Sequence, residues 1–186
     1  MPRPRSDDTH LLEALCEVFR AHGYRGASLT EFSAASGLRR ASLYHRFPGG
    51  KLDMALAVVA HVQEHFATYV LAPLSGTGDV RKRIGTCAKR IGEFYREGSA
   101  ACLLDTLGMS DEPTLQSAVS ATFHALLESF ADVSYEAGVP SPRCRRLAEE
   151  AVALIEGALV MSRGAQMTAP FKRFLGELPE RLAPRD

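Results

Sequence analysis

Arg39, Arg40, Ser42, Tyr44 and His45 stand within seven consecutive positions, with Arg46 and Lys51 close behind. Two guanidinium groups, a hydroxyl, a phenol and an imidazole can all donate hydrogen bonds, and such a set suits an anionic or planar acceptor. Arginine can bond guanine O6 and N7 bidentately or neutralise a phosphate, and Ser, Tyr and Lys donate to phosphate oxygens. This chemistry requires the donors to share an outward face. The apolar residues around them provide one: Phe32, Ala35, Leu38, Leu43 and Phe47 recur at intervals that could bury a common face, leaving the donors outside.

The elements that must hold that face can be read from the same stretch. Ser28-Leu29-Thr30-Glu31 fits a capping box, in which a hydroxyl and a carboxylate satisfy orphan amides at a helix start. The spacing predicts a helix to about Ser36, a left-handed turn at Gly37, and a second helix from Arg39 or Arg40 to Phe47, stopped by Pro48-Gly49-Gly50. Two short helices joined by a tight Gly-containing turn make a helix-turn-helix, whose second helix enters the major groove of DNA. An ordinary helical hairpin with a solvated basic face satisfies the periodicity equally well. Upstream, Leu11, Ala14, Leu15, Val18 and Phe19 form one apolar stripe on a helix expected to start after a cap at Ser6 or Asp7 and to end at Gly23. Arg3 and Arg5 precede it in a Pro-rich arm that could reach a phosphate or the minor groove.

Other chemistries find weaker support. His61-Val62-Gln63-Glu64-His65 matches the H-x-x-E-H zinc pattern, but a five-residue motif recurs by accident and this one lies in an expected connector helix. Cys16, Cys87, Cys102 and Cys144 are scattered without a CxxC pair and read as reduced, buried, small apolar residues. There is no nucleophile elbow, P-loop or dinucleotide fingerprint. No catalytic, metal or cofactor site is therefore expected.

The chain has 186 residues, 46% of them hydrophobic, which is enough to bury a core in one or two small domains. Its net charge is zero, but the charge is divided. Residues 1–51 hold 8 Lys or Arg against 5 Asp or Glu, and residues 52–186 hold 14 against 17, so a head of +3 precedes a body of −3. No apolar run is long enough to span a bilayer and no signal segment opens the chain, so a cytoplasmic protein without membrane contact is expected.

Beyond the head, every segment reads as helix. Helix four is expected from Gly50 to about Leu71, and further helices from Asp79 to Arg96, Ala100 to Leu107, Ser110 or Asp111 to Gly138, Ser141 to Arg163, and Pro170 to Leu182. Nothing alternates with a period of two, so the expected fold is all-α with about nine helices.

The run Gly37-Leu38-Arg39-Arg40-Ala41-Ser42-Leu43-Tyr44-His45-Arg46-Phe47-Pro48-Gly49-Gly50-Lys51 resembles the recognition-helix signature of the TetR family of bacterial transcriptional regulators. The likeness begins at Gly23-Tyr24 and Ser28-Leu29-Thr30 and is specific over residues 9–57; within LYxxFPGGK it is similar to the LmrA and YxaF-like branch. Two departures stand out. Arg39, Arg40 and Ala41 replace the usual small Ser, basic residue and Gly, and His45-Arg46 replaces Tyr-His, so an operator sequence cannot be carried over.

The resemblance implies a three-helix DNA-binding domain at 1–51 and a helical ligand-binding and dimerisation domain at 52–186. DNA contacts fall on Ser28, Thr30, Arg39, Arg40, Ala41, Ser42, Tyr44, His45, Arg46 and Lys51. It also implies that the last two helices meet their symmetry mates through Leu147, Ala151, Leu154, Ala158, Met161, Phe171, Phe174, Leu175 and Leu178, with Ala153 and Gly157 permitting close approach. Phe66, Tyr69, Phe94, Tyr95, Cys102, Leu103, Met109, Phe123, His124, Leu127 and Phe130 would surround an apolar or aromatic effector. The implied function is a homodimeric regulator on an inverted-repeat operator, released by that effector. The alternatives are a ligand-binding or interaction module without DNA function and a small metal-dependent hydrolase.

Overall fold

A computed structural model describes residues 6–185, and among them every regular element is helical. The arm carrying Arg3 and Arg5, and the side chains of Ser6 and Asp7 expected to cap the first helix, lie outside the described residues. Helix α1 spans Ser6–Gly26, but its backbone leaves the helical region at Gly23 (φ 66°, ψ 178°), where the sequence places the break. Helix α2 (Leu29–Ser36) and helix α3 (Arg40–Arg46) follow. Helix α4 is Lys51–His65.

The expected extension of α4 to Leu71 is helical but not α. Phe66–Leu71 forms a π-helical segment and Ala72–Ser75 a 3-10 turn with Pro73 near its start. The Thr68 hydroxyl donates to the Glu64 carbonyl at 2.7 Å, the acceptor that its own amide would use in an α-helix.

The remaining helices are α5 (Val80–Phe94), α6 (Leu103–Gly108), α7 (Pro113–Glu136), α8 (Ser141–Gly164) and α9 (Ala169–Leu182). Asp79 caps α5, its carboxylate accepting the Lys82 amide at 2.8 Å. Helix α5 ends two residues before the expected Arg96, because Arg96 and Glu97 take positive φ in the turn that follows. Helix α6 begins at Leu103 rather than Ala100, and α7 at Pro113 rather than at Ser110 or Asp111. Proline fits that position because a first-turn residue has no intrahelical amide bond to lose.

Two compact units share the chain. One comprises the described residues through Gln63 together with Leu103–Ala121; the other comprises Glu64–Cys102 and Thr122 onward. In the first, α1 packs on α2 and α6, and α2 on α3, around the fully buried Leu15, Phe19, Phe32, Leu43 and Met54. In the second, α9 lies against both α5 and α8 over Ile84, Ile91, Leu159, Phe171 and Leu178. Arg83 is buried there, its guanidinium bidentate on Glu136 and also donating to the Gly76 carbonyl, so the charge of Arg83 is compensated. No helix among the described residues is long and apolar enough to cross a membrane.

Candidate nucleic-acid interface

The helix-turn-helix is built by local bonds that the sequence already specifies. Ser28 Oγ accepts the Glu31 amide at 3.4 Å while Glu31 Oε2 accepts the Ser28 amide at 2.7 Å, completing the capping box. Glu31 Oε1 lies 3.2 Å from His22 Nε2. These Ser28 bonds, with a smaller contribution from His22, hold the Glu31 carboxyl below its ordinary value. At the other end, Gly37 takes the left-handed conformation (φ 69°). Two serines fix the turn there: Ser36 Oγ donates to the Phe32 carbonyl at 2.6 Å, and Ser33 Oγ to the Leu38 carbonyl at 2.6 Å.

Beneath this frame, Phe32 packs its ring on Phe19 with centroids 4.9 Å apart, and both are fully buried with Leu43. Leu38 and Phe47 are half-buried. Ala35, expected on the buried face, is exposed; it lies beside His10, Ala14 and Arg46 at the rim of a surface depression. A single methyl loses little by remaining wet, whereas Phe32 and Leu43 do not tolerate the same fate.

The expected contact residues other than Lys51, namely Ser28, Thr30, Arg39, Arg40, Ala41, Ser42, Tyr44, His45 and Arg46, are exposed, Tyr44 by 49%. Their individual commitments differ. Arg40 Nη2 donates to Thr30 Oγ1 at 2.6 Å. Arg46 Nη1 bonds Asp8 Oδ1 of α1 at 2.5 Å. Lys51 is half-buried, its ammonium donating to the carbonyls of Arg25 (3.3 Å) and Ala27 (3.2 Å) and sitting 4.9 Å over the Tyr24 ring. Sequence spacing did not foretell that inward commitment, because its partners lie 24 and 26 residues earlier. The turn before α4 closes on itself: the Gly49 amide donates to Asp53 Oδ2 at 2.6 Å, and a Cβ on Gly49 would meet that carboxylate at 2.5 Å.

The residues expected around an effector divide between core and surface. In the second unit, Phe66, Phe94 and Tyr95 stack edge to face at 5.1 and 5.0 Å, and Tyr95 continues to Phe171 at 6.2 Å. The Tyr95 hydroxyl donates to Cys102 Sγ at 3.6 Å, and Phe130 is fully buried. Phe123 and Leu127 are half-buried, whereas His124 is exposed. Tyr69 is also exposed, donating to Glu93 and lying under the Arg90 guanidinium at 5.0 Å. Leu103 and Met109 belong to the first unit, Leu103 buried and Met109 79% exposed.

On α8 and α9 the expected contact residues separate similarly. Leu147, Ala151, Ala158, Phe171, Phe174, Leu175 and Leu178 are buried within the chain, while Leu154 and Met161 are 41% and 50% exposed. The exposed pair lines a groove of about 530 Å³ with Ala153, Gly157 and Phe174. Among the described residues no three His, Cys, Asp or Glu side chains come together to hold a metal ion. All four cysteines are buried, and burial pushes the Cys16 thiol up to about 11 and that of Cys87 to about 12.

Two family descriptions match the chain: bacterial regulatory proteins of the tetR family over residues 11–58, and the C-terminal domain of LmrA/YxaF-like transcriptional regulators over residues 89–176. The HTH-type transcriptional regulator LmrA of Bacillus subtilis is 26% identical over 191 aligned positions, covering 92% of this chain and 94% of LmrA. A TetR transcriptional regulator of Legionella pneumophila superposes with a TM-score of 0.80 at 21% identity, covering 98% of this chain and 97% of that one. The regulator CifR, solved as a cysteine mutant with 26 bp double-strand operator DNA, superposes with a TM-score of 0.72 at 22% identity, covering 99% of this chain and 100% of that one.

Proposed function

We propose that this chain, which belongs to the TetR family of transcriptional regulators and has an LmrA/YxaF-like C-terminal domain, acts in the cytoplasm as a homodimeric repressor released from an inverted-repeat operator by a small apolar or aromatic ligand. The observation that carries the reading is the exposed donor face of α3 above fully buried Phe32 and Leu43. Residues 1–51 serve as the DNA-binding domain and 52–186 as the ligand-binding and dimerisation domain. Ser28, Thr30, Arg39, Arg40, Ala41, Ser42, Tyr44 and His45 form the face turned to the duplex. Arg46 and Lys51 serve the head itself, through Asp8 and through the carbonyls of Arg25 and Ala27.

Dimerisation follows from the length of α3. Seven residues touch too few base pairs to be selective, and a two-fold pair places two such helices about 34–36 Å apart in successive major grooves. Leu154 and Met161, with the groove between α8 and α9, supply the apolar surface for that pairing. The effector contacts come from the aromatic chain Phe66, Phe94 and Tyr95 and its neighbours. Effector and operator then oppose each other's binding by one coupling free energy.

The test begins with duplexes selected from a random pool by the full-length protein. Enrichment of an inverted repeat is expected, and its absence would remove the DNA reading. Screening apolar and aromatic compounds for loss of affinity to that duplex tests the release step; a compound that binds the protein and leaves operator affinity unchanged is not the effector.

A further inference from the structure

We propose that Thr30 is a positioning residue for Arg40, aiming its guanidinium before DNA arrives at the O6 and N7 acceptors of one guanine in each operator half-site. The inference rests on the DNA-binding reading above and names the residue pair that carries base preference within it.

Three observations support it. First, Arg40 opens α3 and its Nη2 donates to Thr30 Oγ1 at 2.6 Å, across the turn between the two helices. Second, Thr30 is itself held in place. It lies inside the capping box of Ser28 and Glu31, and Glu31 is further paired with His22 at 3.2 Å. The acceptor thus rides on a helix start whose backbone is fixed two positions before it, at Ser28, and one after, at Glu31.

Third, the cations of this segment are treated differently. Arg46 is neutralised by the Asp8 carboxylate and Lys51 is drawn onto backbone carbonyls, whereas the exposed Arg39 side chain makes no cap bond at the start of α3. Of these four, Arg40 alone is both exposed and oriented by a neutral hydroxyl. A hydroxyl fixes the direction of the guanidinium without cancelling its charge, so it does not compete with DNA as a carboxylate would. Of five N–H donors the threonine takes one, and the exposed remainder includes the parallel pair that a guanine edge requires.

Orienting the side chain in the free protein removes part of the ordering cost on binding. That gain is largest where geometry is strict, at a bidentate base contact, and smallest at a phosphate, which a loose cation also satisfies. Thr30 should therefore affect discrimination rather than general affinity.

The experiment uses the full-length protein and the duplex it selects from a random pool. Affinities are measured for the wild type, Thr30→Val, Thr30→Ser, Arg40→Ala and the Thr30→Val/Arg40→Ala double variant, on that duplex and on versions with each guanine replaced by 7-deazaguanine. The wild type is expected to lose affinity at one guanine per half-site, by up to the roughly 5- to 150-fold range of a bidentate contact, since 7-deazaguanine removes N7 and keeps O6. Thr30→Val should cut affinity for the selected duplex by about five- to tenfold and reduce discrimination at that guanine by the same factor. Thr30→Ser should restore both, and the double variant should bind no more weakly than Arg40→Ala. Thr30→Val that weakens every duplex equally and adds to Arg40→Ala would make Thr30 a plain phosphate contact and overturn the proposal. So would an unchanged affinity. If the wild type selects no sequence, the DNA reading itself fails; if it does select one and Thr30→Val acts uniformly, only this inference falls.

Discussion

At the scale of single residues, the head separates side chains that face the solvent from side chains of the same charge that the protein uses internally. Arg40→Ala and Tyr44→Phe both alter exposed positions, so unfolding curves should stay near wild type while operator affinity falls. The arginine loss should be about 1–3 kcal/mol and specific to certain bases; the tyrosine loss should be smaller and uniform across sequences. Filter binding or fluorescence anisotropy on the selected duplex checks both. Lys51 should behave in the opposite way. Its ammonium sits at the carbonyl end of α1 and over Tyr24, so Lys51→Met should lower stability by about 1 kcal/mol in urea unfolding. The slope of log affinity against log salt should be unchanged, because no phosphate contact has been removed.

At the scale of elements, two local devices set the geometry between α2 and α3. Gly37 has φ 69° with open space around its Cβ position, so any side chain there is penalised by backbone conformation rather than by a clash. Gly37→Ala should therefore destabilise the head by about 1–2 kcal/mol, measurable by chemical denaturation. The capping box makes α2 sensitive to acid. Glu31 has its folded-state value depressed, chiefly by its bonds with Ser28, so its stabilising contribution is fully present above the ordinary value of 4.5 and is lost as pH falls through the lowered one. Urea midpoints followed from about pH 6 to about pH 3 should fall more steeply for the wild type than for Glu31→Gln, which keeps the shape but cannot titrate. Equal slopes would mean that the capping carboxylate contributes nothing.

For the whole molecule, the two compact units interleave along the sequence, since Leu103–Ala121 joins the first and the segments on either side join the second. Contacts of α6 on α1 and the bond from Gln63 Nε2 to the Ala118 carbonyl at 3.3 Å belong to the first unit. Substitution within α6 should thus register in the folding of the unit that contains the helix-turn-helix. Pairing of two chains is expected at the exposed part of α8. Leu154→Asp combined with Met161→Glu should leave helix content intact, shift sedimentation toward monomer, and weaken operator binding by at least about tenfold through loss of bivalency. A dimer that survives both charges would relocate the interface.

Much of the head was legible in the sequence because its determinants are local. A capping box joins residues three apart, a left-handed turn needs one glycine, and a helix stripe repeats every three or four positions; Ser28, Glu31, Gly37, Phe32 and Leu43 all stand in the structure as their spacing requires. Most helix boundaries fell within a few residues of expectation for the same reason, though α5 ends early, α6 and α7 start late, and Phe66–Leu71 continues α4 as a π-helical segment. Partnerships between distant positions were not legible. Periodicity states that a side chain is buried or exposed, not which group 10, 38 or 53 residues away it will meet, as Thr30 with Arg40, Asp8 with Arg46, and Arg83 with Glu136 illustrate. The amino-acid order alone determined an all-helical chain with a donor-bearing face near its start. Only the packed molecule decided which of those donors are held, neutralised or left open, because long side chains choose their partners after the helices have met.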